Sequence, residues 1–279
     1  ADSIIIFGVA CSTRNGTKAQ TGSRGLWPGP LEYLRSDPLA GAGKGERGDM
    51  KIRSVLFLFF TLYTFWIIWG YANAELYYDE AYTIHEYISR GWERITTYYD
   101  EPNNHVFFNV LSYVWFKIFG IRSVVDNTNV MRALPFLLTA GSFAALFSLT
   151  RMVKGSTGAI ISVILLASCI PYFSYSLRLR GYILAAVLQL LFLSSFLKYL
   201  RSLDQPRINH AHGVLASILA ALQLYTLPTM AAPLLAEGLF TLVWCSRKFL
   251  RGNGTDRFRW IGPPVFLAMG ALLALALYA

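Results

Sequence analysis

Long apolar runs alternate with short charged stretches over most of this chain. A helix needs about 20 predominantly apolar residues to cross the hydrocarbon core of a bilayer. Seven runs approach or reach that length and are predicted to span a membrane: 54–72, 130–150, 156–176, 181–196, 213–227, 229–245 and 260–278. The pattern therefore predicts an all-α fold, a polytopic bundle of transmembrane helices.

The segment 77–119 interrupts this pattern, because it combines many charged residues with many aromatic ones. An acidic pair, Asp79 with Glu80, lies near its start, and a second acidic pair follows at 100–101. Charged loops between spans are usually solvated surface, but a carboxylate beside the membrane can also act as a general base toward a hydroxyl or an amine. We therefore take this segment as the candidate catalytic region.

Residues 105–119 are apolar but too short to be read as a span. As a helix they would rise about 22 Å at 1.5 Å per residue, which is less than the roughly 30 Å of the hydrocarbon core. His105, Asn109 and Ser112 form a polar stripe along one face, and Lys117 would resist deep burial. We predict a juxtamembrane amphipathic helix that lies in the outer interface.

Basic residues determine the predicted orientation, because lysine and arginine concentrate in the cytoplasmic loops of membrane proteins. If 105–119 does not cross, most later basic clusters are cytoplasmic and 73–129 is an extracytoplasmic loop. The expected location is the plasma (inner) membrane, with the active site on the extracytoplasmic side. Arg132, Arg178 and Arg180 would then face outward, where an anionic ligand or lipid headgroups would account for them.

Composition agrees with a membrane protein and narrows the functional classes. Of the 279 residues, 54% are hydrophobic and only 15% are charged, compared with about 25% in soluble domains. The net charge of +9 resides in clusters at the ends of apolar runs, so we expect membrane lipids and not nucleic acid as partners. Three scattered cysteines indicate no disulfide framework. Residues 252–254 do not match a phosphate-binding glycine loop.

Residues 1–49 differ from the rest of the chain, being rich in glycine, of mixed charge and without methionine. Met50 stands before two basic residues and an apolar run, as a natural start would. We expect 1–49 to be disordered or a spurious extension, with a small soluble extension as the alternative. The transmembrane domain is then 50–279, and we expect it to be truncated at its C-terminus, within an apolar run.

No cofactor is certain from the sequence, and a divalent metal ion is the one candidate. Two acids and two histidines of the candidate region have side chains that could bind it: Asp79, Glu80, His85 and His105. His85-Glu86 begins like a zinc-protease HExxH motif, but the second histidine is missing.

Several short motifs follow one another in a definite order. The acidic pair at 79–80 comes first, the sequence PNNH at 102–105 opens the short helix, MRALP at 131–135 begins a span, and YSLRLRGY at 175–182 forms a turn. Over residues 51–199 this order resembles the N-terminal half of the C-type (GT-C) membrane glycosyltransferases, which include protein O-mannosyltransferases and aminoarabinose transferases.

The resemblance implies a cell-envelope enzyme that transfers a sugar, with inversion, from a polyprenyl-phosphate donor to a protein, lipid or glycan acceptor on the extracytoplasmic face. It makes Asp79 the general base and gives Glu80 the task of orienting the acceptor or the base. Three residues would bind the donor phosphate: Arg132, Arg180 and His105. Three more would line the pocket: Asn104, Tyr82 and Arg178.

Two other classes compete with this hypothesis. A transporter or lipid flippase would carry ionisable residues near the bilayer midplane and often internal repeats. Here the candidate residues lie at the ends of spans, the apolar runs are nearly free of charge, and no repeat is visible. A receptor or assembly subunit would need only the aromatic loop as a binding surface.

Overall fold

A computed structural model describes residues 58, 61–67, 69–71, 74–98, 104–122, 127–251 and 254–278. The expectations for 1–49 and for the acidic pair at 100–101 lie outside these ranges. Within them every regular element is helical, which confirms the all-α class. From residue 78 onward, the α-helices that the structure describes are α1 (Tyr78–Thr83), α2 (Trp92–Thr97), α3 (Val106–Phe119), α4 (Thr128–Ala167), α5 (Ile170–Ser176), α6 (Tyr182–Ser202), α7 (His210–Thr226), α8 (Ala231–Arg251) and α9 (Gly262–Tyr278).

Four of the described helical segments are long and apolar enough to cross a membrane, which makes the chain an integral membrane protein. They are Thr128–Ala167, Tyr182–Ser202, Pro228–Arg251 and Arg257–Tyr278. The third segment begins with the 3₁₀ turn Pro228–Met230, which precedes α8, and the fourth begins within the 3₁₀ segment Gly254–Ile261, which precedes α9. Large apolar side chains are exposed along α8 and α9, as is usual for surfaces that face lipid.

Helix α4 is two helices joined at Gly155, where φ is 74° and ψ is −177°. Glycine adopts this conformation without the steric cost that a Cβ would bring. The break separates the spans predicted at 130–150 and 156–176. The second of these was predicted to be continuous, which is wrong: α4 ends at Ala167, and Pro171 stands at the start of the separate helix α5, a position that suits proline.

The centre of the bundle is formed by α6, α7 and α9. Apolar residues of α6 recur every four positions on the buried face, at Leu184, Leu188, Phe192 and Phe196. Helices α7 and α9 approach closely, since a Cβ added to Gly270 would lie 2.9 Å from the carbonyl oxygen of Ser217. Small residues allow such close packing between membrane helices.

Helix α3 packs on this bundle with its polar stripe turned inward. Asn109 and Ser112 are completely buried, whereas Val114, Ile118 and Phe119 are exposed. The polar stripe therefore faces the interior of the protein, and the exposed part of the helix is mainly apolar.

Candidate active site

The acidic pair lies in the first turn of α1, and its two carboxylates point in different directions. Glu80 is fully buried, and its Oε2 accepts a hydrogen bond of 2.9 Å from the backbone N–H of Tyr77, which caps the helix. The side chain of Asp79 is 41% exposed. A π-helical turn, Ile84–Ile88, follows α1 directly, and such turns are frequent at functional sites.

Glu80 forms a buried ion pair with Arg132 from the first turns of α4. Arg132 Nη2 lies 2.8 Å from Glu80 Oε2, and the exposed fractions of the two side chains are 1% and 0%. The other carboxylate oxygen accepts a 2.8 Å hydrogen bond from the backbone N–H of Leu179. The guanidinium of Arg132 also donates to three backbone carbonyl groups, those of Tyr71, Ala74 and Glu75. One charge pair therefore joins four parts of the chain.

The hydrogen bonds of Arg132 limit the functional roles that its side chain can have. Both of its terminal nitrogens donate to protein acceptors, and the side chain is almost inaccessible. The geometry favours a positioning role for Arg132, which holds Glu80 and the turn at Leu179. It is less favourable to a contact between Arg132 and the donor phosphate. The phosphate contact itself stays a prediction.

Asp79 pairs with a different cation, Arg180 from the turn before α6. The distance from Arg180 Nη1 to Asp79 Oδ2 is 2.7 Å, and the arginine side chain is only 8% exposed. The guanidinium carbon also lies 5.2 Å from the centre of the Tyr182 ring. The water-accessible carboxylate of Asp79 is therefore in contact with a guanidinium group that the protein holds in place.

Arg178, two residues earlier in the same turn, takes another direction. Its guanidinium carbon lies 4.1 Å from the centre of the Tyr77 ring and 5.5 Å from that of Tyr175. The side chain is half-buried, and Nη2 donates to the hydroxyl of Ser174 at 3.4 Å. The turn thus presents two cations at the end of the bundle that carries the acidic pair.

His105 lies just before α3 and is buried against the start of α6. Its ring centre is 5.1 Å from that of Tyr182, and a Cβ on Gly181 would lie 2.7 Å from the His105 Cβ. Burial, and secondarily the positive charge of Arg180, lowers the pKa of His105 from 6.5 to about 4. The Thr226 carbonyl opposes this shift, but neither ring nitrogen makes a well-formed hydrogen bond within the described part of the chain.

Histidine-selective ¹⁵N NMR of the protein in micelles is expected to show a His105 ring that gains its proton near pH 4. A His105→Gln variant identifies the resonance among the four histidines. Because the unfolded chain binds this proton near pH 6.5, the neutral ring contributes stability that is complete above pH 6.5 and is lost as the pH falls toward 4. A ring that titrates near pH 6.5 would contradict its burial beside Arg180.

Asn104 holds the loop before α3. Its Nδ2 donates to the carbonyl oxygens of Ile95 at 2.9 Å and Tyr98 at 2.7 Å, and its Oδ1 accepts from Asn109 at 2.9 Å. Tyr82 is half-buried, and its ring centre lies 6.3 Å from that of Tyr87 in the π-helical turn. Asn104 therefore supports the loop, and the predicted pocket contacts of both residues stay predictions.

The four side chains considered for a metal ion do not come together. His85 is 70% exposed and lies beside Glu86, whereas His105 is buried near Arg180. Within the described ranges, no group of three His, Cys, Asp or Glu side chains could hold a metal ion. The suggestion of a metal site at Asp79, Glu80, His85 and His105 is therefore corrected.

The sequence interpretation missed a polar chain, a row of hydrogen-bonded side chains that links α6, α7 and α8. Gln223 of α7 donates to Gln189 of α6, which donates to Glu237 of α8. Glu237 is the one acidic residue in the seven apolar runs. Ionisable residues inside membrane helices are rare and usually functional, so this signal was readable from the sequence.

The fold and the site together define an integral membrane protein with a charged, partly water-accessible site at the ends of its helices. Neither models of protein families nor curated proteins nor solved structures match this chain. The resemblance to GT-C enzymes therefore rests on the sequence motifs alone.

Proposed function

We propose that the protein is an inverting membrane glycosyltransferase that moves a sugar from a polyprenyl-phosphate donor to an acceptor. The pair Asp79–Arg180 is the observation that carries this proposal. A carboxylate that reaches water stands 2.7 Å from a nearly buried arginine, so one group can remove a proton while the other neutralises a phosphate. A donor anchored in the bilayer needs such a site at the ends of the helices.

In the proposed reaction Asp79 removes the proton from an acceptor hydroxyl or amine. The acceptor atom then bonds to the anomeric carbon of the sugar, and the bond between that carbon and the phosphate oxygen breaks. The electron pair leaves with the phosphate, whose charge Arg180 stabilises through hydrogen bonds to the guanidinium. Attack from the face opposite the phosphate inverts the anomeric configuration.

The surrounding residues position Asp79 and Arg180 or add contacts to the phosphate. Glu80, held by Arg132, fixes α1 and the backbone at Leu179, and so sets the separation of Asp79 and Arg180. His105, neutral in the unliganded protein, donates one hydrogen bond to the phosphate. Arg178 adds a second cation at the mouth of the site.

The loop 73–129 forms the wall of the site in this proposal. Helices α1–α3 lie at the extracytoplasmic surface of the plasma membrane, with the exposed apolar residues of α3 in the interface. Tyr82 and Asn104 line or support the pocket from the loop side. Covering the donor excludes water, which would otherwise compete as the acceptor. The acceptor itself is a protein, a lipid or a glycan.

Replacing Arg180 with methionine is expected to weaken binding of polyprenyl phosphate by about 10- to 100-fold, because a hydrogen bond to a charged group contributes about 1.5–3 kcal/mol. The measurement is a binding titration of the purified protein in nanodiscs. Binding of uncharged polyprenol should not change, since it carries no phosphate.

Arg207→Met is the matched control, because Arg207 is an exposed arginine in the turn between α6 and α7, at the opposite end of these helices. It should bind polyprenyl phosphate as the wild type does. Equal binding by the Arg180 variant and the wild type would remove Arg180 from the proposed site.

The polar chain at Glu237 favours a second candidate function, a transporter or lipid flippase. Such proteins place ionisable residues inside their spans, as Glu237 is placed in α8. Fluorescent lipids and labelled polyprenyl phosphate, followed across vesicles that contain the protein, distinguish the candidates. Movement across the bilayer that Glu237→Gln abolishes would favour transport. No movement, with intact sugar transfer, would favour the transferase.

A further inference from the structure

The end of α8 and the 3₁₀ segment that follows it carry a concentration of positive charge. Residues 247–259 include five basic residues and one acidic residue. Arg247, Arg251 and Arg257 are exposed, and Lys248 is half-buried. We refer to these four side chains as the basic surface.

The basic surface lies far from the candidate active site. Arg259, in the same 3₁₀ segment, donates to the carbonyl oxygens of Leu203 at 3.4 Å and Gln205 at 3.1 Å, directly after the last residue of α6. The turn that holds Arg180 lies at the other end of α6, whose 21 residues extend about 30 Å. Whatever binds the basic surface is therefore separate from the proposed sugar donor and acceptor.

Aromatic rings hold two of the four cations in place. Lys248 Nζ lies 5.5 Å from the centre of the Trp260 ring, and the guanidinium carbon of Arg257 lies 5.6 Å from that of Phe249 and 5.1 Å from that of Phe258. A ring face attracts a cation electrostatically. It occupies one side of the cation, so N–H donors on the other side can bond to an anion. The cations are thus positioned before a ligand arrives.

Large apolar side chains are exposed among these cations. Leu250 is 81% exposed, Phe258 54% and Ile261 46%. Exposed basic and apolar residues together, at the ends of spanning helices, are typical of a segment that lies in the membrane interface. An acidic protein or a nucleic acid would match the charge but would leave apolar side chains in water. The combination therefore favours a lipid surface as the partner.

We propose that Arg247, Lys248, Arg251 and Arg257 bind the headgroups of anionic phospholipids. This inference does not depend on the proposed sugar transfer. Phosphate oxygens accept strong hydrogen bonds from ammonium and guanidinium groups, and a negatively charged leaflet attracts basic clusters next to spanning helices. A site with four cations should prefer a lipid with net negative charge over a zwitterionic one.

The test titrates phosphatidylglycerol or phosphatidylcholine into the full chain in detergent micelles and measures bound lipid by native mass spectrometry. The wild type should bind phosphatidylglycerol more tightly than phosphatidylcholine. The double variant Lys248→Gln, Arg257→Gln should lose about 10- to 30-fold of that preference, because each cation near an anionic surface contributes about fivefold in affinity. Binding of phosphatidylcholine should not change.

Lys117→Gln is the matched control, because Lys117 Nζ also lies over a ring, 5.3 Å from the centre of Tyr113 in α3. It should keep the wild-type preference. The double variant Lys248→Arg, Arg257→Lys should keep most of it, since both charges remain.

Arg247→Gln with Arg251→Gln is the second double variant, and it alters exposed side chains that folding should tolerate. It is expected to lose preference to a similar extent. A wild type that binds both lipids equally, or neutral variants that keep the full preference, would overturn the site. Binding of polyglutamate without any preference between the lipids would assign the basic surface to an acidic protein and would also overturn it.

Discussion

Asp79→Asn is expected to reduce sugar transfer by about 100- to 10,000-fold, the range that a general base usually contributes. Asparagine keeps the shape of the side chain but cannot take the proton of the acceptor. The protein should remain folded, because the Asp79 side chain is 41% exposed and the asparagine Oδ1 can still accept a hydrogen bond from Arg180. The rate of label transfer per folded protein, in membranes with saturating donor, gives the measurement.

Asp204→Asn provides the matched control, since Asp204 is an exposed carboxylate between α6 and α7. Its transfer rate should equal that of the wild type. Undiminished transfer by Asp79→Asn would assign the base to another residue. Glu80 is a poor substitute because it is fully buried and paired with Arg132, so an acid at 100–101 would be tested next.

Arg132→Met should destabilise the folded protein by about 3–5 kcal/mol, as expected when one partner of a buried ion pair is removed. The substitution leaves Glu80 as a buried carboxylate without its cation, and it removes the donors that three backbone carbonyl groups use. Equilibrium unfolding in mixed micelles, followed by circular dichroism, measures the change in free energy.

Two comparisons make this result specific to the ion pair. Arg207→Met at an exposed position should change the unfolding free energy little. The double variant Arg132→Met, Glu80→Gln should be more stable than Arg132→Met alone, because it removes the unpaired charge. A change in unfolding free energy below about 1 kcal/mol for Arg132→Met would show that the pair does not hold the site together.

The helical class could be predicted because apolar runs of membrane length have few other stable structures. The break at Gly155 also follows from the sequence, since basic residues and glycine interrupt two apolar runs there. The second break, before Pro171, lies inside a single apolar run. Hydrophobicity alone therefore gave no sign that 156–176 is not one continuous helix.

The site was only partly predictable. The order of motifs suggested that Asp79, Glu80, Arg132 and Arg180 belong to one site, and the structure brings them together. The order of motifs could not show which arginine pairs with which acid, because neighbouring residues in a helical turn point in different directions. In the structure, the buried Glu80 pairs with Arg132, and the more exposed Asp79 pairs with Arg180.

The polar stripe of α3 illustrates the same limit. Periodicity placed His105, Asn109 and Ser112 on one face, but an amphipathic pattern does not show whether that face meets water or the protein. Here it meets the protein, where Asn109 bonds to Asn104 and Ser112 is buried. Tertiary contacts, which the local sequence does not encode, determine that the polar face of α3 points into the protein.

Radiolabelled donors test directly whether the protein transfers a sugar from a lipid-linked phosphate, as we propose. Membranes containing the wild-type protein are supplied with radiolabelled polyprenyl-phosphate mannose, glucose, galactose or aminoarabinose, and label in protein, lipid and glycan fractions is counted. We expect transfer from one of these donors, at a rate that depends on Asp79. No transfer from any donor by well-folded protein would contradict it.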